Sequence, residues 1–280
     1  VNLPARGLWV DDDDQMVLSR RFWDRFAEHH LSVAAFMLES MRPGFDPRYS
    51  VDTLRKVCGF TLPRDIENVV TVWPEPSVRW LREFEATIDR YIDASAAAAI
   101  EFDLEGNWLQ HKVVDFPSLD VAGDELVQVV HKVMQRHHIR LEVTTYPYHA
   151  ENAKTADVAP HADRLLPQAD SVRNRKDSKG KSIKVEWDDP LGPGSMQELT
   201  LRRARSVPGV GSALGPLLCM GLAAYDQTWP GRTPGEAMRV AWDAAVRANV
   251  LEARWWSSKW VLGGVANGYA STFLRGLPPR

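Results

Sequence analysis

Short apolar runs closed by polar or aromatic residues recur along the chain, and segments of helical period separate them. "GLWVDD" (7–12) reads as a buried strand and "VLSRRFWDRFAEHH" (17–30) as the helix after it. "SVAAFMLES" (32–40) is a second strand, and "SVDTLRKVCG" (50–59) a helix with Ser50 as its N-cap. "IENVVTVWPEP" (66–76) is a third strand, stopped by Pro74. The helix "SVRWLREFEATIDRYIDA" (77–94) follows, with Val78, Leu81, Phe84, Ile88 and Ile92 near one face. "AAAAIEFDLEGNW" (96–108) is the fourth strand, "DELVQVVHKVMQRHH" (124–138) a helix and "IRLEVTTYPYH" (139–149) the fifth strand. "ADRLLPQA" (162–169) and "GPLLCMGLAAYDQTW" (215–229) supply strands six and seven. After the helix "PGEAMRVAWDAAVRANV" (234–250) comes "VLEARWWSSKW" (250–260) as strand eight, and "GYASTFLRG" (268–276) predicts a last helix.

Eight strands mostly separated by helices predict an α/β fold, a (β/α)8 TIM barrel that takes residues 1–280 as one domain. An open doubly wound sheet permits the same alternation, but eight repeats in a domain-sized chain suit closure. The connection at 150–161 is short, and that at about 170–214 is read as a long irregular loop. Within it "SVRNRKDSKGKSIK" (171–184) carries six basic residues against one acid and is expected to be a solvated, mobile loop. "GVGSALG" (209–215) has the wrong spacing for a phosphate loop.

Composition narrows the classes without choosing a function. A net charge of -3 gives no nucleic-acid signature, and no apolar run of about 20 residues predicts a membrane span. The opening "VNLPARGLWV" lacks a basic n-region and a cleavable apolar core, so no signal peptide is expected there. Cys58 and Cys219 lie in apolar contexts and read as two buried free thiols. Eleven tryptophans are the unusual count, and several fall just after apolar runs, where they can line a groove.

In barrels of this kind chemistry sits at the carboxyl ends of the strands. Those ends offer Asp11 and Asp12 on the first, Glu39 on the second, Trp73 on the third, and Asp103, Glu105 and Trp108 on the fourth. The fifth brings Tyr146, Tyr148 and His149, the sixth Gln168, the seventh Tyr225, Asp226 and Trp229, and the eighth Trp255, Trp256, Ser257 and Lys259. Aromatic faces stack on pyranose C–H surfaces, and acids and amides bond hydroxyls and move protons, so this rim suits a sugar. On the fourth strand Glu101, Asp103 and Glu105 share one face, with neighbouring acids about 6–7 Å apart along the backbone. Two crowded acids in a partly dry site cannot both ionise cheaply, which gives a protonated acid beside an anion. Glu105, nearer the rim, is expected to be the general acid and Asp103 the orienting anion. Glu101 lies deeper and is read as structural, paired with an Arg or Lys inside the barrel.

"DDDD" (11–14) reads as a solvated turn rather than a metal site, since four consecutive acids cannot all face one ion from a strand. His29–His30 and His137–His138 sit at helix ends, where they complement the dipole. No metal or organic cofactor is expected.

An acid closing the first strand and a D-x-E on the fourth, Asp11, Asp103 and Glu105, resemble the D-x-E barrel lysozymes. "FDLE" with "TTYPYH" and a strand-eight Trp is also similar to the chitinase family, with its D-x-D-x-E run, Glu101 standing at the first Asp. Both resemblances imply a glycoside hydrolase acting on β-1,4-linked N-acetylated sugars, peptidoglycan preferred over chitin. They imply Glu105 as acid, Asp103 as orienting residue, Asp11 as a tuning or binding group and Tyr146 on the acetamide carbonyl. Trp73, Trp108 and Trp256 are expected to contact sugar rings, and Glu39, Gln168, Tyr225 and Asp226 to complete the substrate site. The expected partner is the polysaccharide, with no nucleic acid, no membrane span and a monomeric state. Localisation is open, and cytoplasmic synthesis followed by release to the cell wall fits a wall-cleaving enzyme. The rival readings are a barrel that binds carbohydrate without cleaving it, and a metal-assisted hydrolase using Asp11, Asp12, Glu39 and Asp103.

Overall fold

The computed structural model describes residues 3–11, 15–39, 50–104, 108, 112–145, 158–168, 172–186, 202, 204–223, 234–262 and 273–277, with the side chains of a few positions within these spans left out. Ten strands are present among them: β1 (Ala5–Asp11), β2 (Val33–Glu39), β3 (Ile66–Val72), β4 (Ala99–Leu104), β5 (Arg140–Thr145), β6 (Arg164–Pro167), β7 (Val172–Lys176), β8 (Ser182–Glu186), β9 (Leu217–Ala223) and β10 (Glu252–Trp256). Eight of them close into a parallel barrel in the order β1-β10-β9-β6-β5-β4-β3-β2. This is the TIM barrel that the alternation predicts, and closure excludes the open doubly wound sheet.

The helices outside the barrel are α1 (Arg20–Glu28), α2 (Val51–Val57), α3 (Val78–Ser95), α4 (Leu119–His137), α5 (Pro234–Arg247) and the short α6 (Ser258–Val261). Serine starts each of the first four. The side chains of Ser19, Ser50, Ser77 and Ser118 accept from the backbone N–H of Phe22, Thr53, Trp80 and Val121, each three residues on. Each bond satisfies a donor that the first helical turn cannot pair internally. Helix α1 then buries Phe22, Trp23 and Phe26 against the barrel wall, at roughly 1.5–3 kcal/mol for each such side chain.

Two apolar layers result from the alternation of strand side chains. Outward-facing Leu8, Val10, Phe36, Val70, Ile100, Phe102, Leu141 and Val143 meet the helices in one large core. Inward-facing Trp9, Ala35, Met37, Val69, Ala99, Leu166 and Cys219 form a second, smaller cluster within the barrel. Room for Trp9 comes from the small side chains around it. A Cβ on Gly221 would lie 3.2 Å from the Trp9 ring, and one on Gly7 would lie 2.7 Å from Cγ of Arg254.

Several expectations need correction. The basic segment at 171–184 is not a loop: β7 and β8 pair as an antiparallel hairpin, Val172 opposite Glu186 and Lys176 opposite Ser182. Helix α4 begins at Leu119, five residues ahead of the expected start, because Ser118 caps it. Both cysteines are free thiols, but Cys58 is only half-buried. His29 does not complement its helix with charge. It is fully buried, and burial pushes its pKa down to about 4, so the ring is neutral at ordinary pH. The last predicted helix falls mostly outside the described residues. Among the described residues no helix is long and apolar enough to cross a membrane.

Candidate active site

The foot of the barrel is a closed ionic layer. Three acids, Glu67, Glu142 and Glu252, alternate with three bases, Arg140, Arg164 and Arg254. Arg254 places its two terminal nitrogens 2.7 and 3.3 Å from the Glu142 carboxylate and turns its Nε to Glu252. Arg164 lies 2.9 Å from Glu142, while Arg140 pairs with Glu67. Burial alone would push Glu142 up, but the charges and hydrogen bonds of these arginines outweigh it and hold the carboxyl well below the usual carboxylate range.

Above that layer lies Glu101, on the inward face of β4 and directly opposite Glu142 of β5. Its carboxyl accepts from the Trp9 indole N–H at 3.3 Å and from the Thr144 hydroxyl. These partners correct the expectation of an Arg or Lys: both are neutral, and the nearby guanidinium is held by Glu142 and Glu252. Burial, then the Glu142 charge, raises the Glu101 pKa to about 7. A carboxyl that holds its proton up to about neutral pH thus lies one inward position below Asp103.

Asp103 is the next inward residue and stands at the mouth. Its Oδ2 accepts from the indole N–H of Trp73 at 3.0 Å. Trp73 follows β3 and is 42% exposed; Trp256, closing β10, is 36% exposed. The Trp256 ring meets the edge of Trp9 at 6.2 Å with 60° between planes, and the peptide bond after it, to Ser257, is cis. Gln168 follows β6 and bridges to Gly221 of β9, half-buried at the same end of the barrel.

The structure thus brings Trp73, Asp103, Gln168 and Trp256 to one mouth. Trp108 does not join them: it is 3% exposed and packed in the outer core, so its ring presents no face to a sugar. Asp11 and Glu39 close β1 and β2, but their side chains lie outside the described residues. Asp12, Glu105, Tyr146, Tyr225 and Asp226 lie outside them altogether. Among the described residues no group of three or more His, Cys, Asp or Glu side chains is placed to hold a metal ion.

Sequence reasoning passed over Trp9, Thr144 and the Glu142–Arg254 pair. The period-2 rule that singled out Asp103 also puts Trp9 in line with Gly7, and Thr144 in line with Glu142. Both signals were present in "GLWVDD" and "RLEVTT". Chemically, the arrangement offers two exposed aromatic planes, a carboxylate oriented by an indole, and a buried proton-holding carboxyl beneath it.

Fold and mouth together define a closed (β/α)8 barrel with acids and tryptophans at the carboxyl ends of its strands. No protein-family model matches the chain, and no curated protein matches it. Solved structures of the same fold do. A family 18 chitinase from Crocus vernus superposes with a TM-score of 0.58 at 8% identity, over 97% of this chain and 100% of that one. The PgaB (BpsB) glycoside hydrolase domain from Bordetella bronchiseptica gives 0.56 at 10% identity, over 97% and 98%. The spore cortex-lytic enzyme SleL from Bacillus cereus gives 0.56 at 8% identity, over 100% of this chain and 75% of that one.

Proposed function

We propose that the protein is a glycoside hydrolase acting on a β-1,4-linked N-acetylated polysaccharide. The observation that carries this reading is the placement of Asp103 at the barrel mouth, one inward position above the proton-holding Glu101 and hydrogen-bonded to the exposed Trp73, with the exposed Trp256 at the same end of the barrel. Glycoside cleavage needs one group that gives a proton to the leaving oxygen and a second that stays anionic near the developing positive charge. Glu105, two residues beyond Asp103, is assigned the acid. Asp103 orients that acid or the substrate acetamide, and Trp73 and Trp256 take the sugar faces. Asp11 and Tyr146 are assigned tuning of the anion and the acetamide carbonyl, and Glu39, Gln168, Tyr225 and Asp226 the remaining sugar contacts.

A row of three acids, with the deepest one protonated, supports a chitinase-like arrangement more than the two-acid lysozyme plan. Structures with this fold include chitinases and a spore cortex-lytic enzyme, so chitin-type and peptidoglycan-type chains are the substrates to test. New reducing ends should appear from one of the two polymers and persist in EDTA. Replacing Glu105 by Gln should lower the rate about 10²–10⁴-fold with the fold unchanged, and Asp103→Asn should lower it as well. Retained binding to both polymers without any cleavage would make the protein a carbohydrate-binding barrel. Loss of activity in EDTA would favour a metal-assisted hydrolase.

A further inference from the structure

We propose that the Glu142–Arg254 pair is a positioning device that keeps Glu101 protonated, and so sets the proton affinity of the site above it from inside the barrel. The inference rests on the proposed hydrolase reading only for its effect on activity; the protonation state itself is a property of the folded protein.

The geometry is that of one cation among competing acids. The Glu101 side chain is 1% exposed, and its two hydrogen-bond donors, the Trp9 indole and the Thr144 hydroxyl, carry no charge. Arg254 lies over the face of the Trp9 ring, 5.7 Å from its centroid, while the edge of the same ring reaches Glu101. The guanidinium nitrogens of Arg254 go to Glu142 and Glu252.

Among the described residues, several charged groups weigh on this balance. On β5 its cross-strand neighbour is Glu142, an anion. From β10 come Arg254 and Glu252, from β6 Arg164, from β3 Glu67, and from the start of β5 Arg140. These form the ionic layer below, in which three acids match three bases. Cys219 on β9 is held as a thiol by burial. Asp103 stands one inward position above on the same strand. With the lower layer already balanced, none of its three cations is left to pair with a second carboxylate, and two adjacent acids in a dry interior do not both ionise. The acid that holds the arginine is the anion, and Glu101 keeps the proton.

The consequence reaches the mouth because Glu101 and Asp103 are about 6–7 Å apart along the strand. While Glu101 is neutral, Asp103 has no charge beneath it on its own strand. When Glu101 ionises, a new negative charge lies directly under the site and raises the proton affinity of the acids there.

The test uses infrared difference spectroscopy of the whole protein, taking Glu101→Gln as the reference that removes the Glu101 carboxylic-acid band. In the wild type this band should be present at pH 5 and titrate away near neutrality. In Glu142→Gln, Arg254 is released toward Glu101, and the band should vanish at a pH at least about one unit lower, a tenfold change in proton affinity. The acid limb of the activity profile should move up, because an ionised Glu101 raises the proton affinity of Asp103.

Because Glu142→Gln leaves a buried arginine without its main partner, it can fail to fold. Thr144→Val gives an independent arm that touches no charge: losing the hydroxyl donor should move the band to higher pH. A wild type without the band at pH 5, or a band that neither variant moves, overturns the proposal. A band that moves as expected in a protein that cleaves no sugar polymer would leave this inference standing and remove the hydrolase reading instead.

Discussion

Trp73 can serve the site in two separable ways, as a ring against which a sugar lies and as a donor that orients Asp103. Phenylalanine keeps the first and deletes the second. The donated bond goes to a carboxylate at 3.0 Å, and a hydrogen bond to a charged group contributes roughly 1.5–3 kcal/mol. Trp73→Phe is therefore expected to lower kcat about tenfold or more on the cleaved polymer with KM nearly unchanged, whereas Trp73→Ala should also raise KM. An unchanged kcat in the Phe variant would mean that the bond does not position Asp103. At this scale the acid row was legible in sequence, because i and i+2 share a face in any strand. The partners of Glu101 were not: Trp9 and Thr144 lie 92 and 43 residues away, and only barrel closure and strand order decide that they meet. Trp108 misled for the opposite reason, since its place just after a strand says nothing about which side of the wall its ring takes.

At the scale of elements, each barrel strand announces itself by an apolar run because parallel strands are buried on both faces. The β7–β8 hairpin has no such run. A two-stranded ribbon outside the barrel need not bury a continuous apolar face, so its Lys/Arg-rich sequence resembles a solvated loop. The turn was nevertheless written in "DSKG": the Asp177 carboxylate accepts from the backbone N–H of Lys179 and Lys181, and Gly180 takes φ 75°. Helix ends were equally readable in principle, since Ser118 lies directly before the first turn of α4. Helix α3 ends differently, on Ala96 in the left-handed conformation with φ 49° and an exposed side chain. An L-residue there costs roughly 1–2 kcal/mol, which glycine avoids while adding some chain entropy to the unfolded state. Ala96→Gly is thus expected to stabilise the protein by about 0.5–1 kcal/mol in urea unfolding, with an unchanged m-value. A loss of stability would show that strain at this C-cap is relieved elsewhere.

Over the whole molecule two buried groups, on opposite sides of the barrel wall, pull stability in contrary directions through the same pH range. His29, under α1, is neutral when folded and has its pKa lowered from 6.5 to about 4. In that window the unfolded chain binds more protons, so the contribution of His29 is complete above pH 6.5 and is lost as pH falls toward 4. Glu101, inside the barrel, is raised from 4.5 to about 7. In its window the folded chain binds more protons, so its contribution is complete below pH 4.5 and is lost as pH rises through 7. Between about pH 4.5 and 6.5 the two slopes oppose each other and flatten the wild-type curve. Removing either group should uncover the other. The unfolding free energy of Glu101→Gln, relative to wild type, should rise with pH across this interval. That of His29→Leu should fall, each by a total on the order of 2–3 kcal/mol. Taking the difference from wild type cancels the surface carboxylates common to all three proteins, so only the deleted group shapes each curve. Chemical unfolding at half-unit pH steps measures both. Difference curves parallel to the pH axis would mean that Glu101 and His29 titrate in the folded protein as they do in the unfolded chain, and that the barrel interior does not hold the proton on which the proposed site depends.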